Sequence, residues 1–326
     1  MKKLVVAMVA VLSLAPALAM AGSLPSLGAL KTGTVVGRYA LPPVNNDLPG
    51  PLNVASDGTN LWSLDTAGVP VVVMNQNGVI IRKIGIGPTK GGLISGMAFD
   101  GTNMWVANGN DGTTTGTVVV IGPKFNIIKR IKVGYGPCSL AFDGTSMWVA
   151  NNMEKSVQAL NLNGTVRTYS GGMFNGPSSI AFDGTNLWVQ NGGDSSLTEI
   201  DTSGNFIRRL YGIGAGSGGP NSIIPDGTNI WVLSSTNNSV TKIDLNGNVI
   251  GTYGTGSYPY AGVFDGTNIW VMNAHDGTVT VLNAQNGSLV ETYPVDPHST
   301  ASAAFDGTYV WTSDGMNVIK IWDPRY

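Results

Sequence analysis

Seven copies of one pattern, Asp-Gly-Thr-x-x-Trp, constrain this chain more than any other feature. The aspartates are Asp57, Asp100, Asp143, Asp183, Asp226, Asp265 and Asp306, with spacings of 43, 43, 40, 43, 39 and 41 residues. Each is followed by Gly and Thr. Each has a Trp five positions on: Trp62, Trp105, Trp148, Trp188, Trp231, Trp270 and Trp311. Of the eight tryptophans, only Trp322 falls outside the pattern. Repetition at this period means one small supersecondary unit per repeat, each stacked on its neighbours.

The fourth repeat shows the grammar of the unit. Residues 178–182 form a short apolar run, and Asp183-Gly184-Thr185-Asn186 supplies a turn. Residues 187–190, 197–201 and 206–211 are three further strand-like runs, with Ser203-Gly204-Asn205 turning the chain between the last two. Asp-Gly favours a hairpin because Gly accepts positive φ and Asp bonds its own backbone. Asn77-Gly78, Asn163-Gly164, Asn246-Gly247 and Asn286-Gly287 repeat the second turn elsewhere. Four strands per unit, seven units and no helical period predict an all-β, seven-bladed β-propeller. The Trp column is expected to fill the gaps between blades. The seventh unit ends at its third strand, residues 317–323. Residues 34–39 resemble the fourth strands of other units, such as Val249-Ile250-Gly251-Thr252-Tyr253. They are expected to complete the last blade and close the ring, which removes two exposed sheet edges.

The N-terminus reads as a processing segment. Lys2 and Lys3 precede an apolar run from Leu4 to Leu18, and Ala17, Ala19 and Ala21 offer small residues for cleavage. Residues 1–21 are expected to be a secretory signal peptide, with 22–326 as a single propeller domain in the periplasm or outside the cell. Retention as an anchor is the alternative. Charged residues make up only 12% of the chain, and the formal net charge is −2. No run of Lys and Arg suggests a nucleic-acid partner. Cys138 is the single cysteine, so no internal disulfide is available and stability must come from packing.

Runs such as Leu140-Ala141-Phe142-Asp143-Gly144-Thr145-Ser146-Met147-Trp148-Val149-Ala150-Asn151 and Gly176-Pro177-Ser178-Ser179-Ile180-Ala181-Phe182-Asp183 resemble the YVTN and YncE-type repeats of exported bacterial propellers. Trp-Val-Ala-Asn stands where that family tends to have Tyr-Val-Thr/Ala-Asn. The same grammar resembles NHL-repeat proteins and streptogramin (virginiamycin B) lyases. The resemblance covers nearly all of the chain beyond residue 21. It implies the fold but hardly the function, since one fold hosts many activities. The lyases' catalytic His/Glu arrangement has no residue-by-residue match here.

Candidate sites follow from the strand order. The Asp-Gly-Thr turns and the third-to-fourth turns share one face, and they are short and uniform. The second-to-third loops and the connections between blades share the other face, and these vary as binding loops do. Three positions after each Trp stands a polar column: Asp65, Asn108, Asn151, Asn191, Ser234, Asn273 and Asp314. It would either line the channel mouth, with Asn108, Asn151, Asn191 and Asn273 as ligand contacts, or fasten each loop to its own backbone as Asx-type turns. Most units carry Gly-Pro before their first strand, whereas the sixth has Tyr258-Pro259-Tyr260 and the seventh Asp296-Pro297-His298. His275 and Asp276 lie on the second-to-third loop of the sixth blade. The only two histidines, His275 and His298, thus share one face. With Asp276 and Asp296 they would form a metal or acid–base site if they converged, or remain separate loop residues if not. Cys138 replaces Ser95 and Ser178 of sister blades and is expected at the channel wall.

The expected function is a non-catalytic binding or interaction module, monomeric, without cofactor unless a divalent cation binds. Its partner would be a protein, glycan or small ligand on the variable face, with Tyr258 and Tyr260 as contacts. The alternatives are a lyase or hydrolase working through His275 or His298, and an envelope scaffold without a ligand.

Overall fold

The computed structural model describes residues 35–41, 51–65, 70–87, 94–109, 115–214, 222–295, 302–314 and 317–322. The proposed signal segment, 1–21, lies outside them. The described residues form seven four-stranded antiparallel sheets. Six follow chain order, and the fourth repeat has strands Pro177–Phe182, Asn186–Asn191, Ser196–Asp201 and Phe206–Tyr211. The seventh takes its outer strand from the N-terminus. Val35–Ala40 pairs antiparallel with Asn317–Trp322, with Arg38 opposite Ile319 and Tyr39 opposite Val318. The chain is a seven-bladed β-propeller closed by its own N-terminal strand, as the repeat predicts. Arg38 fastens this closure by pairing with Asp314 at 3.3 Å and donating to the carbonyl of Val295, which leads into the same blade.

The repeated motif has a concrete bonding scheme. In every blade the Trp indole N–H donates to Oδ2 of the Asp five residues earlier, at 2.7–2.8 Å in six of them. Oδ1 of the same carboxylate accepts the backbone N–H groups two and three residues on, as Asp143 does from Thr145 and Ser146 at 2.7 Å each. Gly at the second position takes positive φ, between 84° and 100°, which keeps the turn tight. One carboxylate therefore shapes the turn and satisfies the only polar atom of a buried Trp. All seven tryptophans are at most 3% exposed.

The core is divided among the junctions between blades. Seven apolar clusters each draw on two adjacent blades, and each contains one motif Trp. A second aromatic often covers the Trp from the fourth strand, as Tyr169 does for Trp148 at 5.3 Å and Tyr39 for Trp311 at 5.9 Å. Blade 1 has Ile84 at that position, and Phe125 from the next blade's turn lies 5.7 Å from Trp62 instead. Near the axis the first strands approach closely. A Cβ on Gly96 would stand 2.9 Å from the carbonyl oxygen of Cys138, so a small residue is required there. Ser139, Ser179, Ser222, Ala261 and Ser302, at the equivalent position in other blades, are all buried.

Removing one motif carboxylate strands an indole N–H in the core. Asp143→Ala should cost roughly 1–3 kcal/mol in urea unfolding, the range for an unsatisfied buried donor. The same bonds set an acid limit. Burial alone would raise the carboxyls of Asp100 and Asp226, but hydrogen bonds from Trp105 and Trp231 and from their own turns hold both below the ordinary value. A depressed carboxylate stabilises the fold above the unfolded value, near 4, and that contribution is lost as pH falls through the folded value. The melting temperature should be flat above about pH 5 and fall steadily below about pH 4.

Candidate functional site

The variable-loop face departs from the repeat most clearly at blade 6. In blades 3 and 4 the residue before the first-strand Pro is Gly136 or Gly176, with φ of 66° and 65°. Blade 6 keeps that backbone, but Tyr258 occupies it with φ 58°. A bulky residue in the left-handed region costs about 1–2 kcal/mol through contact of Cβ with the backbone. Tyr258 is held there by its amide, which donates to Asn238 Oδ1 at 2.9 Å, and by its carbonyl, which accepts from Ala274 at 2.9 Å. The ring is thereby turned onto His275. The two rings stack with centroids 4.2 Å apart and planes 12° from parallel. Tyr260 continues the series 6.1 Å from Tyr258, at 14°.

Three of the residues singled out in the sequence thus form one aromatic stack. His275 is exposed, while Tyr258 and Tyr260 are half-buried. Burial raises the Tyr260 phenol above its ordinary value, and the charges that Tyr258 and Cys138 would carry raise it further. Its hydroxyl therefore stays protonated at neutral pH and can donate a hydrogen bond. Tyr260 stands on the first strand of blade 6, five residues before Asp265, the position that Cys138 holds before Asp143 in blade 3.

Asp276 is committed to its loop. Oδ2 accepts the Ser257 amide at 2.7 Å, and Oδ1 accepts the Thr278 hydroxyl at 2.7 Å. Glu154 plays the same part in blade 3, accepting from Tyr135 at 3.1 Å. Asp276 therefore aligns the Tyr258 segment with the His275 loop. Asp296 and His298 lie outside the described residues, as does the side chain of Asp65. Among the described residues no three His, Cys, Asp or Glu side chains gather as a metal site would require.

In the polar column Asp314 accepts the backbone amide of Asn317 in its own loop, as an Asx-type fastening would, whereas the asparagines bond differently. Asn108, Asn151, Asn191 and Asn273 are buried, at 4% exposure or less. Asn191 donates to Ser196 Oγ at 3.1 Å and Thr198 Oγ1 at 2.9 Å, and Asn273 donates to Thr278 and Thr280 Oγ1 at 2.9 Å each. Asn151 reaches Ser156 and Gln158 in the same way. The Asn151, Asn191 and Asn273 amides thus point along the sheet into hydroxyl or amide partners on the third strand. In these three blades the third strand offers a side-chain acceptor at the same two positions, while Asn191 Oδ1 accepts the backbone amide of Asn175 at 3.0 Å.

Cys138 lies between the inner strands of blades 3 and 4, with Sγ 3.2 Å from the Pro177 carbonyl and 3.4 Å from that of Ala150. Burial pushes its thiol up to about 12. On the opposite face a cleft of about 360 Å³ opens between blades 5 and 6. Its one cation, Lys242, is spent on the carbonyls of Ala284 and Gln285 at 2.8 and 2.9 Å, and Asp226 holds Trp231.

No protein-family model and no curated protein matches the sequence. Solved structures do match in fold. Streptogramin B lyase aligns with a TM-score of 0.73 at 16% identity, over 87% of this chain and 96% of that one. A catalytically inactive variant of virginiamycin B lyase from Staphylococcus aureus, solved with quinupristin, aligns at 0.72 and 19% identity, over 88% and 98%. Hydrazine synthase from Kuenenia stuttgartiensis aligns at 0.71 and 20% identity, over 86% and 97%. This chain is a seven-bladed propeller similar in structure to these proteins. At such identities the likeness concerns the fold.

The Cys138 environment gives a direct check. At pH 8 the native protein should react with iodoacetamide far more slowly than the urea-unfolded chain, because only the thiolate attacks. Equal rates in the two states would contradict the placement of the thiol between blades.

Proposed function

We propose that the chain is an exported, non-catalytic propeller of the YVTN/YncE type that binds a ligand on its variable-loop face, over blade 6. The stack of Tyr260, Tyr258 and His275 carries this reading. Tyr258 keeps a left-handed backbone that sister blades assign to Gly, and strain of this kind is tolerated where the side chain is needed. The stack offers flat apolar ring area, with polar groups at the edges in the Tyr260 hydroxyl and the His275 imidazole. A ligand with one flat face, such as a sugar ring or a planar side chain of a peptide, fits that chemistry. The leader-like N-terminus supports export, and the repeat motifs support the family grouping.

The likeness to streptogramin lyases favours a second reading, a lyase or hydrolase working through His275 or His298. Against it, His275 is packed on Tyr258, and the carboxylate of its neighbour Asp276 is held by Ser257 and Thr278.

A thermal-shift screen with soluble sugars, muropeptides and peptides tests the binding reading. Wild type should shift with at least one class. Tyr258→Gly should lose that shift while melting at or above the wild-type temperature, since Gly relieves the strained φ. His275→Ala should weaken the shift. A shift unchanged in both variants would refute the site. Turnover of a bound compound, abolished in His275→Ala, would favour the enzymatic reading.

A further inference from the structure

The outer hairpins of the blades, each a third strand, its turn and the fourth strand, divide by charge. In blades 1 to 3 they span residues 70–85, 117–132 and 156–169 and contain seven Lys and Arg with no Asp or Glu. In blades 4 to 6 they span 196–211, 239–254 and 278–294, and three Lys and Arg meet four Asp and Glu. This asymmetry sits in a chain whose formal net charge is −2. The cations are densest on blade 2, with Lys124, Lys129, Arg130 and Lys132, flanked by Arg82 and Lys83 on blade 1 and Arg167 on blade 3. All but Lys129 are exposed. Among the described residues none of them is paired with a carboxylate, whereas Arg208 and Arg209 of blade 4 sit 2.7 Å from Glu199 and 4.0 Å from Asp194.

Aliphatic side chains stand among these cations. Val79, Ile81, Ile128 and Leu162 are 42–57% exposed at or beside the third-to-fourth turns. An outer strand has no further strand beside it, so its turn end stays uncovered. Aliphatics at this level continue around the rim, with Ile207, Val249 and Leu289 on blades 4 to 6. The charge therefore decides which arc of the rim is distinct.

We propose that the rim of blades 1 to 3, centred on blade 2, docks on an anionic lipid bilayer. A soluble polyanion would need the cations alone, and an apolar protein partner would gain nothing from seven like charges. A bilayer with anionic headgroups offers negative charge above an acyl layer, which matches cations interleaved with short aliphatics. The geometry agrees. A flat surface laid against a ring touches one blade and grazes its two neighbours, and the cation density peaks on the middle blade of the three. This surface is separate from the aromatic stack on the loop face, so either can fail without the other.

Co-sedimentation with phosphatidylcholine vesicles, with and without phosphatidylglycerol, tests the proposal. Binding is expected only to the anionic vesicles and should weaken as salt rises. Each cation lost near an anionic leaflet lowers partitioning roughly fivefold. The variant Arg82→Gln/Lys83→Gln/Lys124→Gln/Lys132→Gln should therefore drop to the neutral-vesicle level. Lys155→Gln, which removes a cation on the loop face, should bind as wild type. Ile81→Ser/Ile128→Ser should bind more weakly at every salt concentration, and circular dichroism melting checks that the variants remain folded. Absence of binding to anionic vesicles, equal binding to neutral ones or an unaffected quadruple variant would each overturn the proposal. So would full binding by the aliphatic variant together with equal competition by soluble polyphosphate, which would mark a polyanion site.

Discussion

The bond from each Trp indole to the Asp five residues before it is the interaction on which the ring depends. A Trp between two blades supplies the apolar area that holds them together, but its N–H has to be satisfied in a dry junction. The carboxylate does this while accepting the amides of its own turn, so hairpin geometry and inter-blade packing are fixed by the same side chain. Seven repetitions give seven junctions of one design. The blades then need only local departures to complete the ring, such as Phe125 covering Trp62 where blade 1 lacks an outer-strand Tyr.

Much of this was legible in the sequence because a repeat exposes its own rules. The blade count, the strand grammar, the buried Trp column and the closing N-terminal segment could all be read from spacing and turn residues. The Asp–Trp bond was less legible. Asp-Gly-Thr explains itself as a turn, and only the constant distance of five residues hints that the carboxylate has a second duty. The bonding of Asn191 and Asn273 was hidden for a related reason. Asn at the end of a strand suggests a loop cap, and the partners at Ser196, Thr198, Thr278 and Thr280 become visible only once the third strand lies alongside. The rim charge was hidden too, because its cations are scattered from Arg82 to Arg167 and gather only when successive blades are laid side by side.

The candidate site is the converse case. Tyr258, Tyr260 and His275 stood out as breaks in the pattern, and the structure stacks them. What sequence could not supply was the reason they meet. Tyr258 adopts the backbone of the glycine it replaces, and Asp276 aligns the two loops by accepting from Ser257. Asp276 drew attention as a chemical partner for His275, but its oxygens serve the backbone. A repeat protein can thus depart from its pattern in one blade without disturbing the others, since each blade answers mainly to its neighbours.

Closure by the N-terminal strand also orders events in time. Val35 pairs with Ile321, near opposite ends of the chain. Val35–Ala40 must therefore wait, with its edge unsatisfied, until Asn317–Trp322 forms. The first six blades can assemble progressively by local hairpins, but the seventh forms only by joining the most distant segments of the chain, at a loop-closure cost that local pairing avoids. The ring therefore cannot close before the third strand of the seventh blade is in place, because only that strand pairs with Val35–Ala40.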